Sequence, residues 1–318
     1  MTDHHAHIDL AVAWSWEQDA DFVRLLEDRA SAAGLRTLQI HSDNLARVTE
    51  ELEAGKMSVS VLLDRASDED EAFLGLARYV LHRYRGGAGQ FPRPINPLDL
   101  QMRAADKATM HLEFISSGIH VPYTIIISPF NETREVELSL SELERLGRPF
   151  IIKPANTTGG GVGVVLGAET LKQVIEARQL HRSDKYLLQE TIIPVEWDGR
   201  RAWFRSFYVC GEVLTCWWDD ETHRYQMVTE KDASSYGLHV LEATTRRIQS
   251  VCQLDFFSTE LAFTSADRIV SVDYVNELCD MRLQSKAPDG VPDPIVSRIC
   301  SRIVDWIRAR LSEPEPSG

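Results

Sequence analysis

The chain has 318 residues, of which 43% are hydrophobic and 26% are charged, and its formal net charge at pH 7 is −14. A chain of this size and composition can bury a substantial core and divides into two or three lobes. The acidic balance argues against nucleic acid or an anionic membrane as a partner, because either would require a net basic face. Any anionic ligand must therefore be held by local lysines and arginines.

Neither a membrane span nor a secretory signal is evident. No stretch approaches the roughly 20 apolar residues of a spanning helix, and residues 1–9 are polar and rich in histidine, unlike a signal peptide. The five cysteines are odd in number and lack Cys-x-x-Cys spacing, which indicates reduced and mostly buried thiols. We therefore expect a cytoplasmic protein.

The first hundred residues alternate strands and helices. Strands are predicted over 8–14, 36–40 and 59–63, and helices over 17–33, 44–52 and 69–85. This βαβα order predicts a parallel sheet with crossover helices. The glycines and three prolines of residues 86–97 exclude a regular helix there. An N-terminal lobe is expected over residues 1–97.

A small lobe of mixed helices and strands is predicted over residues 98–183. Its predicted elements are helices over 98–105 and 107–117, strands over 123–127, 150–152 and 162–166, and helices over 141–146 and 169–180. Asp106 has the residue type and position of an N-cap for the second helix, which Gly118 ends.

Residues 184–311 are expected to form a strand-rich C-terminal lobe. The predicted elements are strands over 186–189, 202–209, 212–218, 258–264 and 268–275, and helices over 238–252 and 294–311. Apolar residues recur at helical spacing in the last helix, so we expect it to pack against the body of the protein. Residues 312–318 are expected to be a disordered tail.

A lysine followed by a glycine-rich loop is the most informative motif. Lys153 ends an apolar run, and the glycines separate that run from a second one, so they are expected to turn a hairpin. Glycines let backbone N–H groups approach an anion, and the lysine supplies positive charge, which suggests phosphate binding. The P-loop is excluded because its lysine follows the glycines, and the dinucleotide fingerprint because a strand follows here. Glycines that serve turn geometry alone are the alternative.

Several separated segments together resemble the ATP-grasp fold. They are Asn96-Pro97-Leu98, Ala105-Asp106-Lys107 with Met110, Gly118-Ile119, Val121-Pro122 with Thr124, residues 150–154 with the glycine hairpin, and residues 187–190. The resemblance covers nearly the whole chain, since ATP-grasp enzymes carry a βαβα lobe before the two lobes that grasp ATP. It implies an α/β (α+β) protein of the ATP-grasp fold with a Rossmann-like N-terminal lobe.

The resemblance implies residues that bind the ATP phosphates. Lys107 and Lys153 match the two phosphate lysines, whose compact charges at different depths suit a polyphosphate. Taken alone, Lys107 also fits a solvated residue of a first helical turn. The mobile lid over the triphosphate is matched by Thr157, Thr158, Gly159, Gly160, Gly161, Val162 and Gly163.

A second set of residues matches the part of the fold that binds the nucleoside. Gln189 and Glu190 end the strand that resembles the hinge, and Glu190 with the backbone of Thr191 and Ile192 matches the segment that reads the adenine edge. Glu196 is a looser match to the residue that binds the ribose hydroxyls. For Glu190 the alternative is a solvent-facing strand residue.

Two carboxylates are candidates for a metal site. Glu260 and Asp273 lie on adjoining predicted strands of one hairpin, so they can face a single ion. Mg²⁺ prefers oxygen ligands and commonly takes one or two carboxylates with substrate phosphates. The resemblance implies ATP with Mg²⁺, or Mn²⁺ in its place, and an asparagine two residues after the second acid.

The asparagine is where the sequence departs from the ATP-grasp pattern. Val275 occupies the expected position, and Asn276 comes one residue late. A regular strand would direct Asn276 to the face opposite Asp273. Either the strand bulges or ends at Tyr274, or Asn276 does not bind the metal. In the last case Glu277 or Asp280 is the alternative ligand.

Two arginines are candidate catalytic residues. Arg205, on a predicted strand, resembles the arginine that ATP-grasp ligases place on the transferring phosphate or the substrate carboxylate, and a guanidinium suits either anion. An ion pair on a strand face is the alternative. Arg282 follows the metal strand and is a candidate for contact with the acceptor, although a loop arginine is usually solvated.

The resemblance implies an ATP-dependent ligase. In that reaction a carboxylate attacks the γ-phosphate, and an amine or thiol then displaces phosphate from the acylphosphate, leaving ADP and phosphate. The expected partners are small-molecule carboxylate and amine substrates, and a homodimer is one assembly that the sequence leaves open. The alternatives are a kinase of the same fold and a nucleotide-binding protein without catalysis. Substrate identity is not encoded in the ATP motifs.

Overall fold

A parallel sheet of four strands, here called the N-terminal sheet, comes first in the chain. The computed structural model describes residues 5–86, 92–156, 161–265 and 268–312. Most residues of the two central strands are buried, as expected for parallel strands covered by helices. The strand order is β2-β1-β3-β4, with β1 (Ala6–Trp14), β2 (Thr37–Ile40), β3 (Met57–Arg65) and β4 (Arg93–Ile95), and the helices are α1 (Ala20–Ala32), α2 (Leu45–Glu53) and α3 (Leu74–Arg85).

The predicted βαβα order is confirmed, with two differences in detail. The helix predicted over 17–33 begins as a 3₁₀ turn at Glu17–Asp19 before α1, and the one predicted over 69–85 begins with a 3₁₀ turn at Glu71–Phe73 before α3. The fourth strand was not predicted, because it has three residues and lies within the Pro- and Gly-rich segment of residues 86–97. It pairs in parallel with β3 and completes the sheet.

Four antiparallel strands form a second sheet, here called the small sheet. Its order is β5-β8-β6-β7. The strand predicted over 186–189 therefore lies inside this sheet, although it was expected to open the C-terminal lobe. The elements of this part of the chain are α4 (Leu98–Ala105), α5 (Lys107–Ser116), β5 (Thr124–Ile127), α6 (Leu140–Leu146), β6 (Phe150–Pro154), β7 (Val165–Ala168), α7 (Leu171–Ala177) and β8 (Tyr186–Glu190).

The hairpin around the glycine-rich loop is confirmed. Strands β6 and β7 are antiparallel, with Ile152 opposite Val165. The second strand begins at Val165, three residues later than predicted, because Gly161 and Gly163 both have φ of 77°, in the left-handed region that favours glycine.

Five antiparallel strands form the third sheet, here called the large sheet, in the order β13-β12-β11-β14-β15. A separate hairpin of two-residue strands precedes it, and this hairpin, β13 and α8 were not predicted because each is short. The elements are β9 (Glu196–Trp197), β10 (Arg200–Arg201), β11 (Trp203–Val209), β12 (Glu212–Asp219), β13 (Arg224–Met227), α8 (Glu230–Ser235), α9 (His239–Cys252), β14 (Phe256–Ser265), β15 (Arg268–Asn276) and α10 (Asp293–Ser312).

Helices α4 and α5 pack chiefly against the large sheet, and Leu187 of the small sheet joins the same apolar cluster. Met110 and Phe114 of α5 belong to the same apolar cluster as Phe204, Leu261 and Tyr274 of the large sheet. The start of α5 is fixed as predicted, because the side chain of Asp106 accepts the backbone N–H groups two and three residues later. This packing brings the first turn of α5 to β15.

The C-terminal helix α10 joins the N-terminal and large sheets. Its buried Ile299 and Ile303 share one apolar cluster with Phe22 of α1 and Phe256 of β14, so the predicted packing is confirmed. The helix includes Ser312, the first residue of the predicted tail, and residues 313–318 lie outside the described residues. Among the described residues, no helix combines the length and apolar character needed to cross a membrane.

Candidate functional site

Three charged side chains form a row across the large sheet. Arg205 of β11 is the register partner of Glu260 on β14, which in turn is the register partner of Asp273 on β15. The Arg205 guanidinium donates to one carboxylate oxygen of Glu260 over 3.0 Å, and Trp203 Nε1 donates to the other over 3.1 Å. The sheet register thus brings together an arginine and two carboxylates that are far apart in sequence.

Asp273 is ionised by the cations around it. Lys107 Nζ lies 3.4 Å from its Oδ1, and Asn276 Nδ2 donates to its Oδ2 over 2.8 Å. Burial alone would raise the pKa of Asp273, but Lys107, Lys153 and Arg205 outweigh burial and hold that pKa well below its usual range. The carboxylate is therefore negatively charged at neutral pH.

The pKa of Glu260 is shifted upward, opposite to that of Asp273. Burial raises its pKa, and the charge of Asp273 adds to this effect while Arg205 opposes it. Arg205 itself has a raised pKa: burial would lower it, but Tyr225, Glu260 and Asp273 outweigh burial. A divalent cation placed between the two carboxylates would relieve their mutual repulsion.

A bulge in β15 returns Asn276 to the face of Asp273. Asn276 is the register partner of Ser258, and Asp273 is that of Glu260, so three steps along β15 match two along β14. The extra residue cancels the late position of the asparagine, and the hydrogen bond between Asn276 and Asp273 follows from it. The bulge is one of the alternatives that the sequence left open, and metal binding by Asn276 stays a prediction.

The residues after Asn276 have other partners. Asp280 accepts hydrogen bonds from the guanidinium of Arg282 at 2.6 to 3.1 Å. Burial raises the pKa of Glu277, whose carboxyl is influenced by Lys107 and by the like charges of Asp68 and Asp273. Of the two alternative ligands, Glu277 is thus the one near Lys107 and Asp273.

Lys153 approaches the same carboxylates from the small sheet. Its side chain is 7% exposed, and its ammonium nitrogen lies 5.3 Å from the ring centroid of Tyr274 and 3.5 Å from the carbonyl oxygen of Val272. Burial lowers its pKa to about 8, Asp273 counteracts the shift, and Lys107 adds to it. Two buried ammonium groups whose charges influence each other can attract a polyanion, so phosphate binding by Lys107 and Lys153 stays a prediction.

The residues of the predicted hinge are held by hydrogen bonds at one end of the small sheet. Glu190 Oε1 accepts the backbone N–H of Tyr123 over 2.7 Å, and the Glu190 N–H donates to the Tyr123 carbonyl. Gln189 is buried, and Thr191 Oγ1 donates to the carbonyl of Pro149 over 2.8 Å. The half-buried Glu190 side chain therefore fixes the residue that precedes β5.

The remaining hinge candidates differ in exposure. Ile192 is buried in the cluster that includes the N-terminal and large sheets, so only its backbone remains a candidate for adenine. Glu196 is exposed on β9, where its backbone is the register partner of Arg201 on β10.

Part of the lid is described. Gly161, Val162 and Gly163 form a turn in which Val162 is 57% exposed, whereas Thr157, Thr158, Gly159 and Gly160 lie outside the described residues. A Cβ on Gly163 would lie 3.2 to 3.3 Å from Pro154, Leu180 and His181. Glycine is therefore favoured at 163 by the close neighbours as well as by its positive φ.

Arg282 lies between two carboxylates at the N-terminal sheet. Its guanidinium donates to Asp280 over 2.6 Å and to Asp289 over 2.8 Å, and lies 6.0 Å from the ring centroid of Trp16. These acids raise its pKa. To contact an acceptor, Arg282 would have to give up part of its hydrogen bonding to Asp280 or Asp289.

A buried ion pair fixes the loop after β15 to the N-terminal sheet. Arg65, at the end of β3, donates two 2.7 Å hydrogen bonds to Asp19 and a 2.8 Å bond to the carbonyl of Cys279. Both charged side chains are almost completely buried. The carboxyl ends of β1 and β3 thus face the loop that follows Asn276. Sequence reasoning missed this pair, since the two residues are 46 positions apart.

The oxygen atoms of this site suit a magnesium ion that also binds substrate phosphates better than a metal held by protein side chains alone. Glu260, Asp273 and the amide oxygen of Asn276 are hard oxygen donors on one sheet face. No group of three or more His, Cys, Asp or Glu side chains suited to a metal occurs among the described residues. Mg²⁺ typically completes its coordination with substrate phosphates and water, and Lys107 and Lys153 lie beside these donors.

Comparisons with known proteins identify the fold. No family model matches the sequence, and no curated protein matches it. Among solved structures, a RimK-domain ATP-grasp protein from Sphaerobacter thermophilus is 18% identical, with a TM-score of 0.61 over 93% of this chain and 98% of that one. The D-alanine–D-alanine ligase of Bacillus anthracis, complexed with ATP, is 13% identical, with a TM-score of 0.62 over 97% and 100%.

A third solved structure is similar over the same extent. The ATP-grasp ligase PsnB, complexed with a minimal precursor, Mg and ADP, is 12% identical, with a TM-score of 0.63 over 96% of this chain and 99% of that one. The present chain therefore has the ATP-grasp fold, and the fold predicted from the order of its motifs is confirmed.

Proposed function

We propose that the protein is an ATP-dependent ligase that joins a carboxylate to an amine, or to a thiol, through an acylphosphate. The observation that carries this proposal is the convergence of Lys107 and Lys153 on the carboxylate pair of Glu260 and Asp273. The solved complexes of similar fold support it, since one holds ATP and another holds Mg and ADP.

The two lysines would bind the triphosphate of ATP. Both ammonium groups are buried, so their attraction for phosphate is weakly screened by water. Glu260 and Asp273, with Asn276, would hold Mg²⁺, which supplies charge neutralisation for the phosphates when bound. The hinge segment from Gln189 to Ile192 would bind the adenine, and the lid from Thr157 to Gly163 would cover the triphosphate.

Arg205 is positioned to stabilise charge that develops on the reacting groups. Its guanidinium is fixed by Glu260 and by Ser258 Oγ, to which Nε donates over 3.3 Å, and lies 5.2 Å from the ring centroid of Trp218. A cation held in this way loses little freedom when an anion forms beside it. The acceptor would enter where the carboxyl ends of β1 and β3 face Arg282.

Isotope transfer from a labelled carboxylate tests the reaction. In the acylphosphate route the carboxylate oxygen attacks phosphorus, and the later attack of the amine on the acyl carbon releases that oxygen with the phosphate. A panel of oxygen-18-labelled acids should therefore include one whose label appears in free phosphate, with ADP and phosphate formed in equal amounts. Phosphate retained on the acceptor would instead identify a kinase, and tight ATP binding without ADP release across the panel would favour a non-catalytic protein.

A further inference from the structure

Tyr274 is a buried tyrosine within the bulged segment of β15, between Asp273 and Asn276. Its side chain is 0% exposed. Its hydroxyl accepts a hydrogen bond from Gln189 Nε2 over 3.0 Å and lies 2.7 Å from His111 Nδ1. Because Gln189 donates through that nitrogen, and the Thr124 side chain also interacts with the hydroxyl, the hydroxyl is free to donate its own proton to His111.

His111 is suited to accept this proton. Burial, with a further contribution from the charge of Lys153, lowers its pKa to about 4. The imidazole is therefore neutral at pH 7, and its Nδ1 can accept a hydrogen bond. The three groups form a chain in which Gln189 donates to Tyr274 and Tyr274 donates to His111, all within the protein interior.

This chain connects the elements that carry the proposed ATP site. His111 follows Lys107 by four residues on α5, so both project from one side of the helix. Gln189 lies on the hinge strand β8, next to Glu190. The Lys153 ammonium faces the Tyr274 ring at 5.3 Å, within the range of a cation–π contact. Tyr274 thus contacts Gln189 of the hinge strand and the Lys153 ammonium, and it adjoins Asp273 in the chain.

We propose that Tyr274 is a positioning residue that sets the spacing between the hinge strand and the phosphate lysines, so that both ends of one nucleotide are bound together. This proposal rests on the proposed function, because it takes the ligand to be ATP. ATP occupies both the adenine and the phosphate subsites, so it binds tightly only if the distance between the subsites matches its length. Adenosine or tripolyphosphate occupies one subsite, so its affinity does not depend on that distance.

Removal of the hydroxyl provides the test. Tyr274→Phe keeps the ring under Lys153 but removes the group that links Gln189 to His111. Gln189 keeps its 3.3 Å hydrogen bond to Thr124 Oγ1 of β5, whereas α5 loses its link to β8 and is free to shift. Tyr186→Phe is the matched control. Tyr186 is also fully buried on β8, and its hydroxyl donates to the Ala177 carbonyl over 2.9 Å and accepts from the His181 N–H over 3.3 Å, on the side of α7.

The readout is the dissociation constant of three probes in the presence of Mg²⁺: ATP by calorimetry, and adenosine and tripolyphosphate by ligand-observed NMR. We expect Tyr274→Phe to weaken ATP binding about tenfold while the affinities for adenosine and tripolyphosphate stay unchanged. Tyr186→Phe should change none of the three. Unchanged ATP affinity in Tyr274→Phe, or an equal loss for all three probes, would overturn the proposal.

A second variant covers the case in which Tyr274→Phe does not fold. His111→Leu removes the partner that joins α5 to the hydroxyl and leaves β15 and the predicted hinge strand intact, so it should produce the same selective loss of ATP affinity. A uniform loss or no loss in this variant would also overturn the proposal. Failure of the wild-type protein to bind ATP would contradict the proposed function itself, which separates the two conclusions.

Discussion

The backbone N–H of Lys107 donates to the carbonyl oxygen of Ala155 over 3.0 Å. Ala155 follows Lys153 by two residues, so this hydrogen bond joins the first turn of α5 to the end of β6. Helix α5 packs on the large sheet and β6 belongs to the small sheet. Lys107 therefore enters the site from a helix on the large sheet and Lys153 from a strand of the small sheet, and the main-chain hydrogen bond fixes the two segments to each other.

Neutralising Asp273 should separate the binding of free ATP from that of Mg²⁺–ATP. Asp273 places a negative charge beside Lys107, so Asp273→Asn should bind ATP more tightly than wild type when metal is absent. The same change removes a proposed metal ligand, and the strengthening of ATP binding by Mg²⁺ should fall about tenfold or more. Calorimetric titrations with ATP, with and without Mg²⁺, measure both effects.

Asp220→Asn is the control for that variant. Asp220 accepts two 2.7 Å hydrogen bonds from Arg201 outside the site, so its loss should leave both titrations unchanged. If Mg²⁺ strengthened ATP binding in Asp273→Asn as much as in the wild type, Asp273 would not be a ligand of the metal.

The affinity for ATP should fall as pH rises through about 8. Burial lowers the pKa of Lys153 to about 8, so the ammonium is charged below that pH and loses its proton above it. Arginine stays protonated throughout this range, and Lys153→Arg should therefore abolish the dependence even if it weakens binding. Dissociation constants measured between about pH 7 and pH 9.5 test this, and equal slopes in the two proteins would contradict it.

His111 should reduce stability at acid pH. Its pKa is lowered to about 4 in the folded protein, compared with 6.5 as the reference value, so the unfolded chain binds a proton there that the folded chain does not. The free energy of unfolding should therefore fall as pH decreases from about 6.5 to about 4, by roughly 3 kcal/mol from this residue. Urea unfolding at several pH values measures the effect.

A variant without a titrating side chain isolates the contribution of His111. His111→Gln should lose stability less steeply than wild type over that pH window, although it is less stable at pH 7 because of the altered bond to Tyr274. Parallel curves for the two proteins would show that His111 is not responsible for the slope.

Two glycines of the β6–β7 hairpin should differ in their tolerance of alanine. Gly163 and Gly167 have φ of 77° and 69°, so both pay a backbone cost of about 1 kcal/mol on substitution. A Cβ at Gly163 also meets Pro154, Leu180 and His181 at 3.2 to 3.3 Å, whereas one at Gly167 has no atom within 4 Å.

Gly163→Ala should therefore destabilise the protein by about 1–3 kcal/mol more than Gly167→Ala. Thermal or chemical unfolding of the two variants measures the difference. Equal losses would mean that the neighbours of Gly163 move aside without cost.

Local features of the fold were predictable from the sequence. The N-cap Asp106 and the glycines of the hairpin act within a few residues of themselves, so their geometry follows from residue type and spacing. The pairing of Glu260 with Asp273 was also predictable, because the two strands are neighbours in sequence and pair as one antiparallel hairpin.

Other features depend on contacts that no local pattern encodes. Tyr274 and His111 are 163 residues apart, and each alone reads as an ordinary core residue. The bulge in β15 is visible in the sequence only as an asparagine that comes one residue late. The packing of α5 on the large sheet is likewise set by apolar surfaces that meet only in the folded chain.

A crystal structure with a non-hydrolysable ATP analogue and Mg²⁺ would test the central claim most directly. The account predicts the metal bound by Glu260 and Asp273, the phosphates contacted by Lys107 and Lys153, and the adenine against the segment after Gln189. A nucleotide bound elsewhere, or a metal that contacts neither carboxylate, would contradict it.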